Sequence, residues 1–217
     1  MKKRKQVSLY VSVVLLVIFV LWTFFVRFVD VEPIGPNGSP VGVAGLNGYV
    51  HDIIGVHMPL YTITDWLGIV PIGIVLVFSA IGLIQLIKRK SFFRVDRSIL
   101  ALGGFYIVVI AVYIFFEAII INYRPVLING NLEASYPSST TMLVMCVMPT
   151  AIMQFNDRIK NPTLRRCVEF AIIAFIVFIV ICRFVSGVHW ITDIIGGALL
   201  SVGLVMRYHF ISGFGKN

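Results

Sequence analysis

Charge is scarce in this chain. Aspartate, glutamate, lysine and arginine make up 13% of its 217 residues, and only ten side chains are acidic. Soluble domains are about one-quarter charged, so an ordinary soluble fold is excluded. Cysteine is scarce too: Cys146, Cys167 and Cys182 cannot all pair, lie in or beside apolar runs and show no metal-ligand spacing. A secreted disulfide scaffold is excluded, and the three read as small apolar fillers. The segments between apolar runs hold nothing resembling a nucleotide site. What the chain does have is 59% hydrophobic residues and a mean hydropathy of +0.95. That composition defines an all-α, polytopic integral membrane protein rather than a nucleic-acid binder or a disordered tail.

A bilayer core about 30 Å thick is crossed by about 20 helical residues. Six apolar segments meet or approach that length: Val7–Val26, Ile63–Ile87, Ile99–Ile121, Thr140–Phe155, Val168–Arg183 and Trp190–Met206. They predict a single six-span membrane domain over residues 1–217. The first follows Met1-Lys2-Lys3-Arg4-Lys5 as a signal peptide would. Its apolar stretch is too long and no small-residue cleavage site follows, so it reads as a retained helix.

With both termini in the cytoplasm, fifteen of the eighteen lysines and arginines fall inside; Arg27, Arg124 and Arg183 remain outside. This is the positive-inside bias, and a topology with one span missing would destroy it. The net charge of +8 is therefore mostly a topology signal, not the footprint of a polyanion partner. It places the chain in a plasma membrane, multi-pass, with its function facing outside. The first outer segment, residues 27–62, opens as a Gly- and Pro-rich loop. It turns apolar near Val50–Leu60, where a short interfacial helix would carry His51, Asp52 and His57.

The outer arginines have informative neighbours. Arg124-Pro125 follows the third span. Arg183 ends the fifth, and His189 and Asp193 begin the sixth. A spacing of four puts His189 and Asp193 on one helix face. There the carboxylate fixes the imidazole's tautomer and makes it a competent nucleophile or base. Pro137-Ser138-Ser139-Thr140 opens the fourth span, with Ser138 or Ser139 as N-cap. Free N–H groups at a helix start beside two guanidinium forks outline a phosphate site. Ionisable residues at membrane depth are costly and mark function.

Cys182-Arg183, five residues, His189, three residues, Asp193 resembles the third signature of the type 2 phosphatidic acid phosphatase superfamily, which reads Ser-Arg, five residues, His, three residues, Asp. Arg124-Pro125 resembles the end of the first signature, Lys, six residues, Arg-Pro. Pro137-Ser138-Ser139-Thr140 stands where the second, Pro-Ser-Gly-His, belongs. The resemblance covers residues 99–206 as a phosphatase-like core. It implies His189 as the nucleophile that forms a phosphohistidine and Asp193 as its orienter. Arg124 and Arg183 are then the phosphate clamp, with donors from Ser138, Ser139 and Thr140. No cofactor or metal is implied, since arginine forks neutralise the phosphoryl charge.

Some departures from the family bear on the chemistry. Glu117 replaces the first-signature lysine, Thr140 the second-signature histidine and Cys182 the third-signature serine. Thr140 is too weak an acid to protonate a leaving alcohol. A pyrophosphate ester, whose leaving group is a phosphate, needs that acid least. Alternatively a substitute acid acts, with His57 and His51 first and Asp65 next; Glu133 lies in the second outer segment. Glu117 lies two helical turns before Arg124. It either pairs with Arg124 or places a negative charge near the phosphate. The expected partner is a phosphorylated membrane lipid, either a polyprenyl pyrophosphate or a glycerophospholipid. The expected reaction is hydrolysis. A phosphotransferase with the same intermediate and a degenerate, non-catalytic lipid binder are the alternatives.

Overall fold

The computed structural model describes residues 2–212, so Lys216, counted above among the inner charges, lies outside the described residues. Among the described residues the chain forms α-helices and no strand longer than an isolated bridge. The helices are α1 (Lys2–Phe28), α2 (Ala44–Ile54), α3 (Met58–Leu67), α4 (Ile69–Arg89), α5 (Arg97–Ala118), α6 (Ser139–Arg158), α7 (Pro162–Val185) and α8 (Ile191–Ser212).

Five helical stretches are long and apolar enough to cross a membrane: Gln6–Phe28, Met58–Arg89, Arg97–Ala118, Pro162–Val185 and Ile191–Ser212. They leave large apolar side chains such as Leu21, Phe24, Leu76, Ile107 and Phe170 exposed on the protein surface, as lipid contact requires. The predicted fourth span is also a helix, α6, but its composition sets it apart. It buries Thr140, Thr141, Thr150 and Gln154 and packs against α4, α5, α7 and α8. A helix wrapped by its neighbours has no need of the all-round apolar surface that hydropathy detects.

Local chemistry sets the helix boundaries that matter for the site. Residues 50–60 are not one helix. Gly55, with φ +69, ends α2, and α3 starts after His57 with Pro59 in its first turn. The predicted second span begins five residues earlier than Ile63, because α3 runs into α4 across Gly68. On the basic side, Asn161 caps α7: its side chain accepts from Thr163 N and Leu164 N, and Pro162 occupies N1, a position that lacks a partner for its N–H anyway.

Two glycines let the elements around the site close. Gly187 has φ +66, and a Cβ there would lie 1.9 Å from the Gly55 carbonyl oxygen. The turn after α7 therefore sits directly on the α2–α3 break, and His57 N donates to Ser186 O at 2.9 Å. On α8, a Cβ at Gly196 would lie 2.6 Å from the Tyr136 ring, so α8 is held close against the segment leading into α6.

Candidate active site

Arg183 stands in the last turn of α7 and is 1% exposed. A guanidinium so deeply buried must find partners, and α3 supplies them because the Gly55–Gly187 contact lays it alongside. Arg183 Nη1 donates to Thr64 Oγ1 at 3.1 Å and to Tyr61 O at 3.4 Å. The guanidinium lies 4.6 Å from the Tyr61 ring centroid, and its Nη2 is 3.8 Å from Asp65. Among the described residues its Nε has no hydrogen-bond partner. Tyr61 also lies 5.9 Å from the Arg124 guanidinium, so one tyrosine stands beside both Arg124 and Arg183.

Arg124 is positioned by a small antiparallel hairpin. Asn129 and Gly130 both have positive φ, and Ile128 N and Asn131 N exchange hydrogen bonds with each other's carbonyls across them. Asn-Gly favours this tight turn because both residues tolerate the left-handed region. The returning strand pairs Tyr123 with Ala134. Arg124 N then donates to Glu133 O at 3.0 Å, and Arg124 Nε lies 3.1 Å from Glu133 Oε2. The anticipated Glu117–Arg124 pair does not form; the hairpin brings Glu133 closer, and Glu117 instead lies against Tyr113.

The same hairpin carries a residue that the sequence reading missed. Ser135 N donates to Asn122 O, and the Ser135 hydroxyl lies between His189 and Asp193. Its Oγ is 3.0 Å from His189 Nδ1 and 2.5 Å from Asp193 Oδ2. His189 Nδ1 is 3.8 Å from Asp193 Oδ2. The two do not share a helix face as the spacing suggested, because α8 begins only at Ile191. Asp193 sits in its first turn and accepts from Trp190 N at 2.9 Å, one half of a capping box. The Trp190 indole donates to Tyr123 O at 2.7 Å, tying the start of α8 to the hairpin.

On the other edge of the imidazole, Arg124 Nη1 is 3.1 Å from His189 Nε2. Arginine only donates, so Nε2 accepts, and the proton of neutral His189 resides on Nδ1 facing Ser135. Ser135 in turn donates to Asp193. Burial, then the positive charges of Arg124 and Arg183, hold His189 well below its ordinary 6.5. The imidazole is therefore neutral at neutral pH, with a lone pair on Nε2.

Arg124 and Arg183 open onto a pocket of about 630 Å³, with Ser139 and Thr140 of the α6 N-terminus on its wall. Ser138 holds the N-cap position, but its hydroxyl makes no capping bond; its N donates to Asp193 O. Asp65, Glu117 and Glu133 also line the pocket. His51 and His57 do not. His51 packs on the Trp190 ring, and exposed His57 bonds the Ile54 carbonyl through Nε2.

Helices long enough to span a bilayer surround a buried histidine, flanked by two arginines and backed by a hydroxyl and a carboxylate; this defines a helical membrane protein with a cluster of ionisable side chains at one end of its bundle. Residues 104–213 match the PAP2 superfamily, and the chain belongs to that superfamily. A solved structure described as the first transmembrane PAP2 type phosphatidylglycerolphosphate phosphatase from Bacillus subtilis has a similar fold. Its TM-score is 0.55 at 20% sequence identity, over 92% of this chain and 94% of that chain. No curated protein matches.

Proposed function

We propose that the protein is a phosphohydrolase of membrane lipid phosphates or pyrophosphates, with His189 as the nucleophile. One observation carries the reading: the continuous chain from Arg124 through His189 and Ser135 to Asp193, beside Arg183 and an open pocket. Phosphate entering the pocket takes Arg124 away from His189 Nε2 and frees that lone pair. Nε2 then attacks phosphorus. The N–P bond forms, the P–O bond to the leaving group breaks, and the leaving oxygen keeps the electron pair. The Nδ1–H stays on the imidazole, and the Ser135–Asp193 pair stabilises the resulting positive charge. Water next attacks phosphorus and the N–P bond breaks. Its oxygen stays on the released phosphate, its proton goes to solvent, and the imidazole returns to neutral.

The arginines neutralise the phosphoryl oxygens throughout, the role of a pre-organised cationic clamp. With Thr140 in place of an acid, pyrophosphate esters are the favoured class, and phosphatidylglycerophosphate and phosphatidate are the slower ones. We place α6 as the sixth span, shielded by its neighbours. Both termini are then cytoplasmic, and the site faces outward in a plasma membrane; the basic residues Arg89, Arg94 and Arg158 lie at helix ends opposite Arg183.

The test is phosphate release by detergent-purified protein from undecaprenyl pyrophosphate, phosphatidylglycerophosphate and phosphatidate in EDTA, beside His189→Ala. Release that survives EDTA and disappears in the variant supports the reading. No release from any lipid, with or without an added acceptor lipid, sinks it. Transfer that appears only with the acceptor makes the protein a phosphotransferase.

A further inference from the structure

Two positive charges converge in the pocket, and something has to hold them there. Arg124 and Arg183 both line it, their charges act on each other, and both act on His189. Like charges drawn together away from water repel. Each guanidinium has a carboxylate of its own: Glu133 Oε2 is 3.1 Å from Arg124 Nε, and Asp65 Oδ1 is 3.8 Å from Arg183 Nη2. These contacts engage N–H groups, the same groups that a phosphate oxygen would engage. An incoming phosphate therefore competes with both of them.

One side chain meets both arginines without engaging an N–H group. Tyr61 of α3 is half-buried and lines the pocket. Its ring centroid lies 4.6 Å from the Arg183 guanidinium and 5.9 Å from that of Arg124, both within the roughly 6 Å reach of a cation–π contact. A tyrosine at the outer end of a span ordinarily belongs to the interfacial aromatic belt; this ring sits beside two cations instead. An aromatic ring attracts positive charge through its quadrupole and leaves N–H donors free for a ligand. We infer that Tyr61 is a positioning residue of the phosphate site: its ring keeps Arg124 and Arg183 together in the empty pocket, so that a phosphoryl group meets both at once. Without the ring the two guanidinium groups spread apart, and binding has to draw them back against their repulsion. The Tyr61 carbonyl also accepts from Arg183 Nη1 at 3.4 Å, a backbone contact that does not depend on the side chain at position 61. Substitution there therefore reports on the side chain alone. The inference rests on the proposed function for the phosphate at the arginines and adds what holds the arginines in place.

The probe is a polyprenyl pyrophosphate. Its binding to His189→Ala protein in detergent is followed by tryptophan fluorescence, and its turnover is followed with His189 in place. Tyr61→Phe keeps the ring and is expected to bind like the unaltered side chain. Tyr61→Leu is expected to bind roughly fivefold to thirtyfold more weakly, the range for a desolvated cation–π contact. With His189 in place, that loss falls on KM more than on kcat. Phenylalanines carrying one, two or three ring fluorines, placed at position 61, keep the shape of the ring and draw negative charge from its face. Affinity is expected to fall with each added fluorine. A folding defect in Tyr61→Leu would not hide this series, because the fluorinated rings pack as phenylalanine does. Affinity that ignores the number of fluorines, or a folded Tyr61→Leu protein that binds as tightly as Tyr61→Phe, overturns the inference and leaves the hydrolase reading intact. A graded fluorine effect without turnover keeps the inference and removes that reading. No binding by the protein that retains Tyr61 overturns both.

Discussion

His189 and Asp193 do not hydrogen-bond to each other directly. Their nearest nitrogen and oxygen are 3.8 Å apart, and the Ser135 hydroxyl fills the gap with contacts of 3.0 and 2.5 Å. The aspartate thus orients the imidazole through a serine delivered by a different loop, 54 residues earlier in the chain. The helix start fixes Asp193 and the hairpin fixes Ser135, so the histidine's orientation depends on both.

Ser135→Ala is expected to lower kcat and leave KM nearly unchanged. A hydrogen bond to a charged group is worth about 1.5–3 kcal/mol, or roughly ten- to a hundredfold in rate. Ser135→Thr keeps the hydroxyl and restores most of the activity. A KM effect as large as the kcat effect, or no rescue by threonine, would show that Ser135 only packs.

Thr140→His tests the missing acid. General acid catalysis contributes about 10²–10⁴-fold, and the benefit falls on poor leaving groups. The variant is expected to speed phosphatidate hydrolysis by about a hundredfold, the low end of that range. Pyrophosphate esters gain little. A uniform gain on both classes would contradict the role assigned to position 140.

Protonation of His189 is open to direct measurement. Burial and two neighbouring guanidinium groups push its titration below 6.5. Nitrogen NMR of labelled protein in detergent should show His189 still neutral at that pH, with the proton on Nδ1. The sign follows from charge: removing Arg124 deletes a nearby positive charge, so Arg124→Gln moves the titration upward. Because the unfolded histidine takes up a proton first as pH falls, this residue also makes the fold less stable below about 6.5. A titration at or above 6.5 in the unaltered protein would refute the electrostatic account.

Gly187→Ala should loosen the site without touching a chemical group. The backbone there has φ +66, and the new Cβ would lie 1.9 Å from the Gly55 carbonyl oxygen. A left-handed conformation costs a non-glycine residue about 1–2 kcal/mol, and relief of the clash moves α3 away from Arg183. A lower melting temperature in detergent, together with weaker phosphate-lipid binding, is the expected pair of results. Unchanged values for both would mean that the α2–α3 contact does not hold the site.

Much of the candidate site was legible in one dimension. Arg183, His189 and Asp193 lie within eleven residues, so a single turn between two helices must bring them together, whatever the rest of the fold does. Arg124 was legible from its place after a span on the same side. His51 and His57 look available in the sequence because each is an imidazole in an outer segment, but neither lines the pocket; His51 packs on Trp190 and His57 bonds the Ile54 carbonyl. Ser135 went unnoticed, although Asn129-Gly130 is a recognised hairpin signal. Simple pairing outward from that turn would have set Ser135 opposite Arg124; the Tyr123–Ala134 bridge is shifted by two residues from that register, which is what brings Glu133 beside Arg124.

Composition, hydropathy and charge asymmetry determine that this chain is a helical membrane protein, because those terms act on each segment separately through its transfer from water to lipid. The pairing of Arg183 with Thr64 across 119 residues, the choice of Glu133 over Glu117 and the serine between His189 and Asp193 were decided only by tertiary structure. They depend on which backbones approach closely enough for a hydrogen bond, and here that is set by two close contacts, Gly187 against Gly55 and Gly196 against Tyr136. Angstrom-scale approach of distant segments is a property of packing, and no local sequence pattern encodes it.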